Sequence, residues 1–85
     1  MSTETWSGRA VADLMEIGRN DARTAARIQR AVELFASGRE GDIKKLGRVD
    51  QSRLRVGDWR VILQIDDAAD ALHVVRIFNR RDAYT

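Results

Sequence analysis

From Arg9 onward the apolar positions recur with helical spacing. Ala10, Leu14 and Ile17 fall at i, i+4 and i+7, and Val11 and Met15 widen the stripe. Ser7 is placed to cap this helix and Gly18 to stop it. Asn20 or Asp21 caps a second helix, whose stripe is Ala25, Ile28, Val32 and Phe35 and whose end is Gly38. Arg23, Arg27 and Arg30 lie on the other face of that helix. The short link between the two predicts an antiparallel helical hairpin. Ahead of it, residues 2–6 read as a short strand ending at Trp6.

After Gly41 the period changes from helical to two. Arg53-Leu54-Arg55-Val56 alternates, Gly57-Asp58 suits a two-residue hairpin loop, and Trp59, Val61, Leu63 and Ile65 alternate against Arg60, Ile62 and Gln64. Asp66 to Asp70 reads as a loop, and Leu72 to Phe78 as a third run rich in β-branched residues. The whole predicts an α+β domain spanning residues 1–85, a helical hairpin followed by an antiparallel meander. Side chains i and i+2 share a sheet face. If Leu54, Val56, Trp59 and Val61 turn toward the helices, Arg53, Arg55 and Arg60 share the opposite, open face. Lys44 and Lys45 approach it from the preceding segment, and Arg80 and Arg81 from the end of the last strand.

Composition narrows the chemistry. Eighty-five residues make one small domain, and 44 % hydrophobic with 33 % charged residues is a globular balance. The absence of Cys excludes disulfides, zinc–thiolate sites and thiol nucleophiles, and the single His73 excludes any site that needs two histidines. No apolar run approaches the roughly 18 residues of a bilayer span and the start is no signal peptide, so a cytoplasmic protein without membrane contact is expected. The net charge of +2 conceals a pattern: residues 39–60 carry seven basic groups against four acids, residues 61–75 carry three Asp and no base, and residues 76–85 carry three Arg against one Asp. Two basic blocks thus flank an acidic tip, which favours an anionic partner. Thirteen of the fifteen basic residues are Arg, a side chain suited to bidentate phosphate contacts, although the codon preference of a GC-rich genome produces the same bias.

The basic constellation has two readings. One is a cradle for a phosphodiester, with guanidinium groups stabilising charge that develops on a phosphate. The other is the solvated face of an ordinary small sheet. RNA carries its own nucleophile, the 2′-hydroxyl, so cleavage needs alignment, proton transfer and charge neutralisation. Arg neutralises but is a poor proton carrier, which leaves Lys44, Lys45 and Tyr84 as candidates for that role. Tyr84 is equally suited to stacking on a base or simply to packing. Asp66, Asp67 and Asp70 lack calcium-loop spacing and read as a turn; His73 reads as a structural residue within a strand.

The second half resembles the RelE/ParE toxin superfamily of bacterial type II toxin–antitoxin modules. The resemblance rests on Lys44-Lys45-Leu46, on Arg53-Leu54-Arg55-Val56-Gly57-Asp58-Trp59-Arg60-Val61, and on Val74 to Tyr84 with its closing Arg80-Arg81-Asp82-Ala83-Tyr84. It is specific over residues 42–84 and architectural over residues 8–38. It implies a RelE-like fold of two helices on a small antiparallel sheet. It also implies, in the RelE branch, metal-independent and cofactor-free cleavage of mRNA on the ribosome by a toxin that a cognate antitoxin neutralises. By position, Arg60 matches a contact to the scissile phosphate, Arg80 a stabiliser of the transition state, and Tyr84 the tyrosine that orients the nucleotide. Lys44 and Lys45 match the basic segment ahead of the strand, in contact with RNA, and Arg53, Arg55 and Arg81 of the basic constellation are further expected nucleic-acid-binding residues. Arg53 stands where that branch often has a Lys serving in proton transfer, and Asn79 where many members have His. The ParE branch shares the scaffold and inhibits DNA gyrase instead; a basic binding module without activity is the third reading.

Overall fold

The computed structural model describes residues 2–47 and 50–84, with side chains as far as Asp82 at the C-terminal end. The chain runs β1 (Thr3–Trp6), α1 (Gly8–Asn20), α2 (Ala22–Gly38), β2 (Asp42–Lys45), β3 (Ser52–Val56), β4 (Trp59–Asp66), β5 (Ala71–Asn79) and a terminal 3-10 turn (Arg80–Tyr84). The strands form one sheet in the order β1-β5-β4-β3-β2. All neighbours are antiparallel except β1 and β5, which run parallel.

Both helices start where their capping chemistry lies. The Ser7 hydroxyl accepts from the Ala10 amide at 3.0 Å and donates to the Val75 carbonyl at 2.6 Å, so the cap of α1 also pins it to β5. Asp21 alone separates the helices and caps α2 by accepting from the Thr24 amide and hydroxyl. Gly18 does not end α1, which continues to Asn20. A Cβ on Gly18 would stand 3.5 Å from the Ala25 Cβ, an ordinary contact between the two helices. The turn after α2 takes its left-handed conformation at Arg39 (φ 58°), not at Gly38.

The core fills the layer between hairpin and sheet. Ile28, Val32 and Phe35 of α2 and Ala10 and Ile17 of α1 meet Leu54, Val61, Leu63, Leu72, Val74 and Ile77 of the strands. The α2 stripe is therefore the expected one. The α1 stripe is narrower, because Val11 and Met15 face solvent at 44 % and 58 % exposure.

The meander is extended by two edge strands, β1, expected over residues 2–6, and β2, which is not expected from the sequence. β1 pairs with β5 from Thr3↔Ala71 to Trp6↔Val74. β2 pairs with β3 although all four of its residues are exposed. Between β4 and β5 the register slips, since Ile62 pairs with Arg76 and Leu63 with Val74. Val75 is thus an extra residue, a bulge that Ser7 holds through its hydroxyl and through its amide, which donates to Val74. Past the end of β1, the exposed edge of β5 is closed by α1: the Asp13 carboxylate accepts from the Ile77 amide at 2.9 Å and from Arg9 at 3.0 Å.

Candidate nucleic-acid interface

Strand register decides which cations share a surface. Leu54↔Val61 faces the helices, so the flanking pairs Arg53↔Ile62 and Arg55↔Arg60 face away from them. The row extends outward on β2, where Lys44 pairs with Arg53 and Asp42 with Arg55. It extends inward on β5, where Arg76 pairs with Ile62 and Phe78 with Arg60. The structure therefore brings Lys44, Arg53, Arg55 and Arg60 together on the open face. Lys45 pairs with Ser52, one register position on, and falls on the opposite face.

Arg76 is a member of this row that the alternation alone does not reveal. Continuing period two from the buried Val74 would turn Arg76 and Phe78 toward the helices. The Val75 bulge resets the phase, so Ile77 is buried and Arg76 lies over the Phe78 ring, its guanidinium carbon 4.9 Å from the centroid. Ile62 is also instructive: it is only 7 % exposed although it points away from the core. Its register neighbours are Arg53 and Arg76.

The end of the face at the β3–β4 turn concentrates the charge. Arg55 and Arg60 stand directly opposite each other, an arrangement that costs free energy when both are charged. Both lean on one acceptor: Arg60 Nη1 donates to the Gly57 carbonyl at 3.0 Å, and Arg55 Nε to the same oxygen at 3.4 Å. Arg60 Nη1 also donates to the Trp59 carbonyl at 3.1 Å. Among the described residues Arg53, Arg55 and Arg60 form no ion pair, even though Asp42 faces Arg55 across the strands. Gly57 can present its carbonyl this way because it adopts φ +60°, a conformation that suits glycine.

The terminal 3-10 turn docks at the same end. The Arg80 amide donates to the Asp58 carbonyl at 2.8 Å, and its guanidinium lies 4.0 Å from the Asp58 carboxylate. Arg80 thus stands at the rim of the Arg55–Arg60 pair. Arg81 is exposed in that turn, with its amide donated to the Asn79 side chain at 3.1 Å. Tyr84 closes the turn, and its side chain lies outside the described residues.

Proton carriers are scarce on this surface. Lys44 is the one lysine of the row, and guanidinium groups hold their protons. His73 shares the open face but pairs with Gln64, four residues along β4 from Arg60, or about 13 Å at the usual strand rise. Its Nδ1 lies 2.8 Å from the Thr5 hydroxyl, a tie between β1 and β5 in keeping with a structural role. No group of three His, Cys, Asp or Glu side chains among the described residues is arranged to hold a metal ion. The geometry offers neighbouring guanidinium groups that, among the described residues, hold no ion pair on an open face, and that suits a polyanion laid across β3 and β4.

The family model described as the ParE toxin of type II toxin–antitoxin system, parDE, matches residues 5–84. No curated protein shows significant similarity to the sequence. Among solved structures, the RelB–RelE antitoxin–toxin complex from Methanococcus jannaschii is similar with a TM-score of 0.73 at 21 % identity, covering 94 % of each chain. The YoeB/ParE toxin from Agrobacterium tumefaciens is similar with a TM-score of 0.76 at 16 % identity, covering 91 % of this chain and 96 % of that one. The intact RelBE toxin–antitoxin complex of E. coli gives 0.75 at 12 % identity, covering 93 % and 96 %. At these identities the structural likeness concerns the fold.

Proposed function

The chain belongs to the family of ParE toxins of type II toxin–antitoxin systems, and on that premise we propose that this toxin cleaves messenger RNA on the ribosome. The observation that carries the reading is the cross-strand pair Arg55↔Arg60, two facing cations without a carboxylate partner among the described residues, flanked by Arg53 and rimmed by Arg80. Such a pair is costly when empty and favourable when a phosphate sits between its members.

In this reading the 2′-oxygen of the RNA attacks the neighbouring phosphorus and the bond to the 5′-oxygen breaks. The products are a 2′,3′-cyclic phosphate and a 5′-hydroxyl, so the proton lost by the nucleophile is matched by one gained by the leaving oxygen. Arg60 and Arg55 hold the non-bridging oxygens and stabilise the added charge, and Arg80 closes on them from the terminal turn. Lys44, beside Arg53, is the group within the arginine row able to exchange a proton, with Tyr84 as the other candidate and His73 too far along the sheet. Arg81 contacts RNA outside the row, whereas Lys45, on the opposite face, does not. A cognate antitoxin is the expected protein partner, as in the RelB–RelE and RelBE complexes that share the fold.

One observation favours a second reading, gyrase inhibition without cleavage: proton carriers are few on the open face, and the Lys of the RelE branch is Arg53 here. The experiment that separates the two adds purified toxin to translating ribosomes and maps RNA ends. New 3′ ends within codons, reduced about 10²-fold in Arg60→Ala and in Arg80→Ala, support the nuclease. Uncut message together with gyrase-dependent DNA breaks supports the second reading and rejects the first.

A further inference from the structure

Phe78 is an aromatic ring that the core does not use. Its neighbour Ile77 is 3 % exposed, so Phe78 and Arg76 turn to the open face. Trp6, Leu14, Trp59 and Ile65 are partly buried by packing against the core; Phe78 is not among these contacts, and its half-buried ring lies under the Arg76 guanidinium instead. The guanidinium carbon stands 4.9 Å from the ring centroid. Arg76 is itself exposed and, among the described residues, holds no ion pair. Both side chains stand at a free edge. β1 ends opposite Val74, so no strand among the described residues flanks β5 at Arg76 or Phe78. A cleft of about 220 Å³ opens there, with the carboxylates of Asp13, Glu16 and Asp82 along it.

An exposed guanidinium plane backed by a ring is a surface on which a nucleobase stacks. Arg76 is the middle layer. Contact with Phe78 holds it in place before a base arrives, so less side-chain freedom is lost on binding. The next strand supplies the rest of a nucleotide site. Phe78 pairs with Arg60, about 5 Å away across the sheet, and Arg60 faces Arg55. A phosphate between those two arginines leaves its base within reach of Arg76. The carboxylates of the cleft repel a phosphate and not a neutral base, which sets the base rather than the backbone toward the edge of β5. We propose that Arg76, laid over Phe78, is a stacking platform for one unpaired base of the RNA held on the open face. The proposal deepens the nuclease reading and rests on it for the position of the phosphate. It makes the substrate single-stranded there, since a paired base hides its faces within the helical stack. The platform accepts any base, because each has a π-face, and so aligns the chain without reading its sequence.

The test is fluorescence anisotropy with the intact toxin and two labelled single strands of about eight nucleotides. Both carry 2′-O-methyl groups, which deny the reaction its nucleophile; one strand bears bases and the other is abasic throughout. Their phosphates are equal, so a difference in affinity reports the bases. Wild type is expected to bind the base-bearing strand about tenfold more tightly. Arg76→Lys, at an exposed site, keeps the charge and removes the plane. It is expected to lose most of that advantage while binding the abasic strand as wild type does. Phe78→Leu, checked by circular dichroism, acts in the same direction because the guanidinium loses its support. Arg60→Ala weakens both strands alike, as loss of a phosphate contact does. Equal weakening of both strands by Arg76→Lys overturns the platform, and so does an undiminished advantage in that variant. Binding of neither strand by wild type rejects the open-face reading and the platform with it. An Arg60→Ala variant that binds both strands as wild type does rejects the placement of the phosphate, while the contrast at Arg76 still decides the stack.

Discussion

β4 is bounded by two turns of opposite charge, and they handle that charge differently. At the acidic turn after β4, Asp66 accepts from the Ala69 amide at 3.1 Å, and Asp70 accepts from the Ser2 hydroxyl at 2.8 Å. Arg39 reaches Asp67 at 3.4 Å and Asp70 at 3.9 Å while lying over the Phe35 ring. The negative charge there is spent inside the molecule, fastening β1 and the end of α2 to the sheet. At the Gly57–Asp58 turn, Arg55 and Arg60 share a single neutral carbonyl, and the nearest carboxylate, Asp58, serves Arg80 at 4.0 Å. Charge consumed by the fold and charge left over for a partner are thus separated along one strand.

Substitutions at the two turns sharpen this contrast. The largest effect is expected at Arg60→Ala, where RNA cleavage falls about 10²-fold while the midpoint of urea unfolding holds or rises, since one of two facing cations is gone. A matching loss of stability would show that Arg60 serves the fold instead. Gly57→Ala comes next. A side chain at φ +60° costs about 1–2 kcal/mol and crowds Arg27, so both the unfolding midpoint and RNA affinity drop.

At the acidic turn the expected effects are smaller and confined to stability. The hydroxyl of Ser2, ahead of the weaker attraction of Arg39, holds the Asp70 carboxyl below its ordinary range. The unfolded chain therefore takes up this proton first. The contribution of Asp70 is complete above the ordinary carboxylate range and disappears as the pH falls through the lowered folded value. Melting temperatures of wild type and Asp70→Asn should differ near neutrality and converge in acid; a constant gap would show that charge is not the cause. The smallest change is expected for Arg39→Gly. Relief of the left-handed backbone and of the buried Nη1 that lacks a hydrogen bond offsets the lost ring contact and ion pair. Stability by denaturant titration then moves by less than about 1 kcal/mol, with cleavage unaltered.

Much of this arrangement is legible in the residues. Helical spacing finds both helices because each buries one stripe, and the change to period two finds β3, β4 and β5 because each has one face in the core. The shared face of Arg53, Arg55 and Arg60 follows from the same alternation. What escapes it lacks such a signature. β2 is four exposed residues whose order comes from pairing with β3, so no buried face marks it. The parallel partner of β1 is remote in sequence. Gly18 looks like a stop, but α1 continues past it to Asn20. Arg76 is missed because a bulge leaves no trace in composition.

That bulge governs more than one side chain. With Val75 inserted, every residue from Arg76 to Asn79 looks the opposite way from a chain one peptide shorter. Its excision would bury a cation and an aromatic ring together and expel Ile77 into water. One surplus backbone unit, clasped by a helix-capping serine, thus decides which side of the sheet the chain's last strand contributes to.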